Sequence, residues 1–474
     1  MWVAVVVPVV VVVLSALVND PLGLLYSRPE VPTTTTSMPS QSKDNVGEPL
    51  FLTPLLETGR IEEARRLSRV PLGEEYGLSY AGFFSVDKAF DAHHFIWFFP
   101  AREAWEAAPV MVWLDGGPGL SSMLSLFSMH GPFSLTRECE LVPRQHTLTK
   151  VINVIYIDNP VGTGYSFTST EDSIPRDQVK VGGQALASLT QVLQMFPEIS
   201  DNNLYIAGHS YAGKFVPALA HAIHTHNLEA LHKIQLKGIG LGNSLVESES
   251  VINYGDMLYA TGMVDEKERR YFKAQSEKAR SLVRQARLEA AHLMVGGLMG
   301  THLGASYYER LTGVANTLNF MDDSALLEEM HYMDHCVILP RFRRALHVGN
   351  KTFHQPFYLG KFFKADVFRS TKPWIEEMLN NSVKVLMYNG QLDLSVPYAS
   401  TERLARTLHW PHKEEYMRAP RRAWEVEGQV AGYVKEARGL VRLLVRKASH
   451  TVGHLRPHWM FDMFSRFMTR DTFL

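Results

Sequence analysis

Short runs of β-branched and aliphatic residues alternate with longer helical patterns along most of this chain, and no other feature constrains its fold as strongly. The runs lie at residues 110–114, 151–157, 204–207, 238–241, 383–388 and 440–445. Strands of this kind separated by helices are typical of a mainly parallel sheet with helices on both faces. Each run leads into a loop containing Gly, Asp, Asn or Ser, and open α/β sheets bind ligands at the carboxyl ends of their strands. The sequence therefore predicts an α/β protein with its site along that edge.

The alternation is interrupted once, between residues 251 and 345. Strand signals are few there, and long charged helical stretches such as residues 265–292 replace them. We therefore predict a core in two parts, residues 49–250 and 346–474, separated by a helical insertion or cap. A lid over the site and a solvated structural excursion explain such an insertion equally well.

The N-terminal region is typical of a protein that enters the secretory pathway. Residues 2–18 are almost wholly apolar, so we predict a signal peptide at residues 1–19 and a flexible Ser, Thr and Pro-rich linker at residues 20–48. No basic residue precedes Arg28, which leaves an uncleaved membrane anchor as the alternative. Glycosylation acceptors at Asn350 and Asn380 fit a lumenal protein. We expect a secreted protein or one of the lysosomal or endosomal lumen.

The charge and cysteine content exclude several classes of function. Lys and Arg number 48 against 49 Asp and Glu, which argues against nucleic-acid binding through bulk positive charge. Protonation of the 20 histidines would change the net charge greatly between neutral and acidic pH. Cys139 and Cys336 allow at most one disulfide and cannot build a cysteine zinc site, and the sequence leaves open whether they meet.

Residues 208–213, with the sequence Gly-His-Ser-Tyr-Ala-Gly, are the strongest local signal for chemistry. A predicted strand precedes them and a helical pattern follows, which is the setting of a nucleophile elbow that would present Ser210 at the top of the sheet. Ala212 occupies a position where the general pattern has Gly. Taken alone, the motif fits a serine in an ordinary turn equally well.

The order of residues along the chain supports catalysis by Ser210. A serine nucleophile needs a histidine to take its proton and a carboxylate to orient that histidine, and α/β-hydrolases carry them in the order Ser, acid, His. Asp393 follows the predicted strand at 383–388, and His450 follows the strand at 440–445. The Gly-rich loop after residue 114 is suited to stabilise an oxyanion, so we predict that the backbone N–H groups of Gly117 and Tyr211 form the oxyanion hole.

Several long motifs resemble the serine carboxypeptidase family, most closely its vitellogenic-like members. They lie in the same order from about residue 48 to the C-terminus, at residues 79–83, 113–122, 158–166, 208–217, 345–350, 389–393 and 430–433. The resemblance implies an α/β-hydrolase fold with a helical insertion, and release of C-terminal residues from peptides through an acyl-enzyme at acidic pH. It implies no metal or organic cofactor, no nucleic acid partner and no stable membrane association after signal removal, and it leaves a homodimer open. Carried over, Ser210 is the nucleophile, Asp393 the orienting acid and His450 the general base.

The histidine motif departs from the family pattern. The family's catalytic histidine follows glycines and precedes a proline by three residues, and His454 matches this local pattern better than His450. Counting without gaps from Arg446 and from Phe461 nevertheless places His450 in the catalytic position. We therefore favour His450 as the base, with His454 as the alternative.

The carboxylate-binding residues of the family are also replaced. An amide side chain stands in the family at the position of Asp115, and two glutamates stand at the positions of His209 and Met129. Ionised Asp115 would repel a substrate carboxylate, whereas protonated His209 would attract one more strongly as the pH falls. This change keeps two other functions open: an acyltransferase or esterase that uses the same triad, and a catalytically impaired binding or protective protein.

Overall fold

The computed structural model describes residues 45–300, 305–322, 332–355 and 358–474. The predicted signal peptide and most of the predicted linker lie outside the described residues. Within the described ranges, the helices are all too short or too polar to cross a membrane.

Ten strands form one mixed sheet that carries the functional edge, and a separate hairpin lies beside it. The strands are β1 (Tyr80–Asp87), β2 (Ala92–Phe99), β3 (Val110–Leu114), β4 (Phe133–Leu135), β5 (Leu141–Pro143), β6 (Asn153–Ile157), β7 (Leu204–His209), β8 (Leu236–Gly242), β9 (Lys384–Gly390), β10 (Arg422–Val426), β11 (Gln429–Ala437) and β12 (Leu440–Val445). Their order in the large sheet is β1-β2-β6-β3-β7-β8-β9-β12-β11-β10. From β6 to β12 all neighbours are parallel, and the six predicted runs contribute these strands.

Helices lie on both faces of this sheet, and further helices of the predicted insertion pack together in a cluster of their own. They are α1 (Thr53–Glu57), α2 (Ile61–Ser68), α3 (Met123–Ser125), α4 (Gln178–Met195), α5 (Ala212–Glu229), α6 (Ser248–Val251), α7 (Gly255–Ala260), α8 (Glu266–Arg284), α9 (Leu288–Met299), α10 (Tyr307–Thr312), α11 (Pro340–Ala345), α12 (Gly360–Phe363), α13 (Lys372–Asn380), α14 (Tyr398–Thr407), α15 (Lys413–Arg418), α16 (Val452–Leu455) and α17 (Pro457–Thr469). Residues 332–337 are helical as well. Two large apolar clusters pack against the sheet, one centred on α4 and α5 and the other on α17.

The antiparallel strands at the two margins of the sheet were not predicted. Strand β2 pairs antiparallel with both β1 and β6, and β11 pairs antiparallel with β10 and β12. Strand β2 is buried at every position although it contains His93 and His94, and β10 is largely exposed. Neither strand presents an uninterrupted aliphatic run of the kind that predicts a buried parallel strand.

The predicted helical stretch at 265–292 is divided into two helices. Helix α8 ends at Arg284 and α9 begins at Leu288, with Ala286 between them at φ 56°. The backbone N–H of Ala286 donates to the carbonyl of Val283 and closes the turn. A left-handed residue of this kind ends a helix, so the chain reverses and α8 and α9 pack as a hairpin.

Cys139 and Cys336 form a disulfide, with 5.3 Å between their Cα atoms and a separation of 197 positions in the chain. Cys139 lies in the turn between β4 and β5, and Cys336 lies in the helical residues 332–337. The bridge therefore ties the last part of the predicted insertion to the small hairpin.

Strand β2 buries a histidine that is poorly suited to carry charge. The Nδ1 atom of His94 lies 3.0 Å from the hydroxyl of Ser188 on α4, and its Nε2 atom is buried with no hydrogen-bond partner among the described residues. Burial, with a smaller effect of the neighbouring His93, lowers the pKa of His94 to about 3.

We expect His94→Gln to make folding less sensitive to acid. The unfolded imidazole takes up a proton near its ordinary pKa of 6.5, but the folded one does so only near 3, so the folded state loses stability as the pH falls between these values. Near pH 4.5 this loss is about 2 to 3 kcal/mol. The measurement is the free energy of unfolding of wild type and variant near pH 7 and near pH 4.5. Ser188→Ala, which keeps the titrating ring, should show the full wild-type acid loss, and the same loss in His94→Gln would contradict the assignment.

Candidate active site

Ser210 lies on a tight turn between β7 and α5 at the carboxyl edge of the sheet. Its φ of 61° is left-handed, a conformation that a serine rarely adopts, and its side chain is partly exposed between two buried neighbours. The backbone N–H of Ser210 donates to the carbonyl of Gly242 at the end of β8. A Cβ atom on Gly208 would lie 2.2 Å from the carbonyl oxygen of Leu114, which explains the glycine before the turn. The strand, turn and helix thus hold Ser210 at the rim of the sheet.

His450 meets Asp393 beside this turn. The Nδ1 atom of His450 lies 2.8 Å from Oδ2 of Asp393, and both side chains are buried. The two residues follow β12 and β9, which are parallel neighbours. A Cβ atom on Gly390 would lie 1.9 Å from the carbonyl oxygen of Ser449, so the two loops run in direct contact and need glycine there.

His454 lies on α16, one turn beyond His450. It lines a small cavity together with residues of the predicted insertion, Asn316, Asn319 and Asp322. Its backbone N–H donates to the carbonyl of Thr451. The imidazole that the structure places on Asp393 is therefore that of His450.

Asp393 accepts hydrogen bonds on both carboxylate oxygens. Oδ1 accepts from the backbone N–H groups of Ser395 and Val396 at 2.8 and 3.2 Å, and Oδ2 accepts from the side-chain amide of Asn243 at 2.6 Å as well as from His450. These donors hold the carboxylate in one orientation. Asn243 was not predicted as a site residue. It lies two residues beyond the predicted strand at 238–241, in the kind of loop where site residues are expected.

The predicted insertion contacts the loops of Asp393 and His450 through its backbone. The N–H of His450 donates to the carbonyl of Leu318 at 2.9 Å, and the N–H of Leu394 donates to the carbonyl of Thr317 at 2.9 Å. In return, the N–H of Phe320 donates to the carbonyl of Leu392 at 3.2 Å. Residues 317–320 therefore lie against both loops, while the interpretation of the whole insertion as a lid stays a prediction.

The Gly-rich loop after β3 passes directly over the turn that carries Ser210. A Cβ atom on Gly116 would lie 2.6 Å from the backbone nitrogen of Tyr211, and Gly117 has a φ of 107°. Gly116 therefore lies against the backbone of Tyr211 and Ser210, with space that only glycine allows, and it directly precedes Gly117 of the predicted N–H pair Gly117 and Tyr211. Such a pair of N–H groups is suited to bind an oxyanion.

Buried Asp158 anchors the far end of this loop. Its carboxylate accepts from the hydroxyl of Ser121 at 2.6 Å, the N–H of Ser122 at 3.1 Å and the N–H of Tyr165 at 2.9 Å. Burial raises the pKa of Asp158 to about 7, against these hydrogen bonds. The carboxyl group therefore holds two motifs together: the Gly-rich loop and the segment 158–166.

Two of the three residues at the family's carboxylate-binding positions form a buried pair. The Nδ1 atom of His209 lies 2.9 Å from Oδ1 of Asp115, close enough for an ion pair although not in hydrogen-bonding geometry. Asp115 also accepts from the hydroxyl and the N–H of Ser125 at 2.6 and 3.1 Å. The ring centroids of His209 and His450 are 5.7 Å apart. The imidazole of His209 thus lies close to both the buried carboxylate of Asp115 and the imidazole of His450.

Met129, the third of these residues, is buried in a π-helical turn, Leu126–His130. A Cβ atom on Gly453 would lie 2.8 Å from the Cβ atom of Met129, so this side chain packs beneath the loop that carries His450. It contributes apolar contact and no charge.

The strand order and the elbow at Ser210 define the protein as an α/β-hydrolase. The prohormone-processing carboxypeptidase Kex1 of Saccharomyces cerevisiae has this fold with a TM-score of 0.71 over 85% of this chain and 96% of that chain, at 19% identity. A family model described as serine carboxypeptidase matches residues 73–470. The chain therefore belongs to the serine carboxypeptidase family, and both the predicted fold class and the predicted resemblance are confirmed.

Individual relatives agree along nearly their whole length. The human protein named probable serine carboxypeptidase CPVL is 39% identical over 443 residues, which is 92% of this chain and 92% of that protein. The venom serine carboxypeptidase of Apis mellifera is 40% identical over 90% of this chain and 92% of its own length. The vitellogenic carboxypeptidase of Aedes aegypti is 35% identical, with 90% and 91% covered.

Proposed function

We propose that this member of the serine carboxypeptidase family releases C-terminal residues from peptides with Ser210 as nucleophile, His450 as general base and Asp393 as the acid that orients His450. The observation that carries the proposal is the 2.8 Å contact between Nδ1 of His450 and Asp393 beside the left-handed turn of Ser210. With Nδ1 engaged by the carboxylate, the other ring nitrogen is left to act on the serine hydroxyl.

The reaction follows from these positions. The Oγ atom of Ser210 attacks the last peptide carbonyl while His450 takes the hydroxyl proton, and the N–H groups of Gly117 and Tyr211 stabilise the oxyanion. His450 then gives the proton to the departing amine, so that the terminal residue leaves and the acyl-enzyme remains. Water, deprotonated by His450, releases the shortened peptide and restores Ser210.

The proposed ligand of the substrate's terminal carboxylate is His209. His209 directly precedes Ser210 in the chain, and its Nδ1 atom lies 2.9 Å from Oδ1 of Asp115. Imidazoles gain their proton as the medium becomes acidic, so recognition of a free carboxylate should strengthen at low pH.

The test is a comparison of free-acid and C-terminally amidated peptides, together with fluorophosphonate labelling. Wild type should be labelled, Ser210→Ala should not, and wild type should cleave the free acid with a kcat/KM about 10-fold to 100-fold above that for the amide. His209→Gln should bring this ratio close to one. His221→Gln is the matched control, since His221 pairs with Glu377 at 2.7 Å away from the site on α5. It should leave the ratio unchanged.

The outcomes separate this function from its alternatives. Labelled wild type that cleaves amides and esters as well as free acids would favour the acyltransferase or esterase. Folded wild type that is never labelled would favour a binding or protective protein. An unchanged ratio in His209→Gln would overturn the role of His209 alone.

We also propose that the protein works in an acidic lumen of the secretory pathway. The disulfide between Cys139 and Cys336 suits an oxidising compartment. Asn350 and Asn380 are both exposed, as glycan attachment requires.

A further inference from the structure

Residues 366–371, which we call the brace, contact the first turn of α5, the helix that follows Ser210. Three side-chain contacts join them. The hydroxyl of Tyr211 donates to Oδ2 of Asp366 at 2.7 Å, the hydroxyl of Thr371 donates to the carbonyl of Gly213 at 2.7 Å, and the amine of Lys214 donates to the carbonyl of Arg369. The brace therefore contacts three of the four residues that follow Ser210.

Asp366 is the centre of this contact. It is 2% exposed, and Oδ2 also accepts from the side-chain amide of Gln178 at 2.6 Å. Gln178 is the first residue of α4, so the carboxylate is fixed by a second helix as well as by Tyr211. Burial, with the nearby charge of Asp366, keeps the pKa of Tyr211 well above its ordinary value, so the hydroxyl stays a donor throughout the working pH range.

Lys214 supplies the opposite charge and a second anchor. It is fully buried, and its amine also donates to the carbonyl of Val246 at 2.9 Å. The backbone N–H of Thr371 donates to the same carbonyl of Val246 at 3.2 Å. The brace, the loop after β8 and the first turn of α5 therefore form one buried unit.

We propose that Asp366 is a positioning residue that holds Tyr211 so that its backbone N–H points at the developing oxyanion. The proposal rests on the oxyanion role assigned to Tyr211 above. The hydroxyl of Tyr211 donates a hydrogen bond to Asp366, and the backbone nitrogen of Tyr211 lies under the Gly-rich loop. The residue is therefore held at both ends. Displacement of an oxyanion donor by a fraction of an ångström weakens the transition state more than the bound substrate.

The experiment compares Tyr211→Phe, Asp366→Ala and Asp366→Asn in the full chain. The first two remove the hydrogen bond and should slow phosphonylation by a fluorophosphonate and kcat for a free-acid peptide by about 10-fold to 100-fold, with KM within about twofold. Asp366→Asn keeps an acceptor for the hydroxyl and should stay within about threefold of wild type in both rates.

Tyr205→Phe is the matched control. Tyr205 lies on β7, is buried, and donates its hydroxyl to the carbonyl of Met468 at 2.9 Å, so the variant loses an equivalent buried hydrogen bond far from the oxyanion hole. It should lower the melting temperature as Tyr211→Phe does while leaving both rates unchanged.

The outcomes are distinct from those of the proposed function. Phosphonylation of Tyr211→Phe at the wild-type rate, or equal slowing by Tyr205→Phe, would overturn the role of the brace even if the protein is a carboxypeptidase. Wild type that is phosphonylated but does not release C-terminal residues would overturn the proposed function and leave the rate comparison of the variants decisive for the brace. Folded wild type that is not phosphonylated would overturn both.

Discussion

His450→Ala should lower kcat/KM for a free-acid peptide by roughly 10⁴-fold or more, whereas His454→Ala should retain activity within about tenfold. The expectation follows from the single imidazole placed on Asp393, because a serine hydroxyl is a poor nucleophile without an oriented base. Kinetics with a free-acid peptide and the rate of fluorophosphonate labelling measure the two variants side by side.

The control for this pair is the folded state. His450 is buried and its backbone N–H donates to the carbonyl of Leu318, so its replacement could unfold the protein. The melting temperature of each variant shows whether the protein is still folded. Full activity in folded His450→Ala, or a complete loss in His454→Ala, would contradict the assignment and move the general base to His454.

The sequence favoured His450 over His454 as the general base but did not exclude His454. His454 matches the local motif, and His450 matches the spacing of the flanking segments. What distinguishes them is contact between distant parts of the chain: Gly390 against the backbone of Ser449, and Leu318 of the predicted insertion against His450. Neither contact leaves a local pattern, because each depends on where the loops meet in space.

The parallel strands of the core, in contrast, could be predicted because their burial is visible in their own residues. Strands such as β3 and β12 are buried on both faces and consist of aliphatic and aromatic residues, with the one exception of Arg442. Burial on both faces favours apolar residues at nearly every position, so such a strand can be predicted from its composition. Strand β2 is also buried at every position and ends in the apolar run 95–99, but its antiparallel pairing with β1 and β6 is not recorded in its composition, and β10 carries charges at exposed positions.

The contact between the residues at the family's carboxylate-binding positions could not be predicted from the sequence. The sequence presents Asp115 and His209 as two separate departures from the family pattern. In the structure their side chains lie 2.9 Å apart, so the two replacements meet in one buried pair. A replacement at one position can be judged only with its partner in view, and the pairing links residues 94 positions apart.

Asp393→Asn should lower kcat by about 10⁴-fold while leaving the protein folded and KM nearly unchanged. The backbone N–H groups of Ser395 and Val396 both point at Oδ1, so the amide oxygen of the new side chain must occupy that place. Its NH₂ group then replaces Oδ2 and faces His450. The imidazole would have to accept at Nδ1, which leaves the proton on the nitrogen that should take the proton of Ser210.

Asn243 makes this prediction sharper. Its side-chain NH₂ group donates to Oδ2 of Asp393, and its Oδ1 accepts from the N–H of Gly390 at 3.1 Å, so it cannot turn over without losing that bond. In Asp393→Asn two NH₂ groups would therefore oppose each other, so the variant loses this hydrogen bond and should melt at a lower temperature than wild type while remaining folded. Asp91→Asn is the matched control, because Asp91 pairs with His93 at 2.7 Å away from the site and should leave kcat unchanged. Retention of kcat in folded Asp393→Asn would show that the carboxylate does not set the tautomer of His450, and the proposed triad would have to be abandoned.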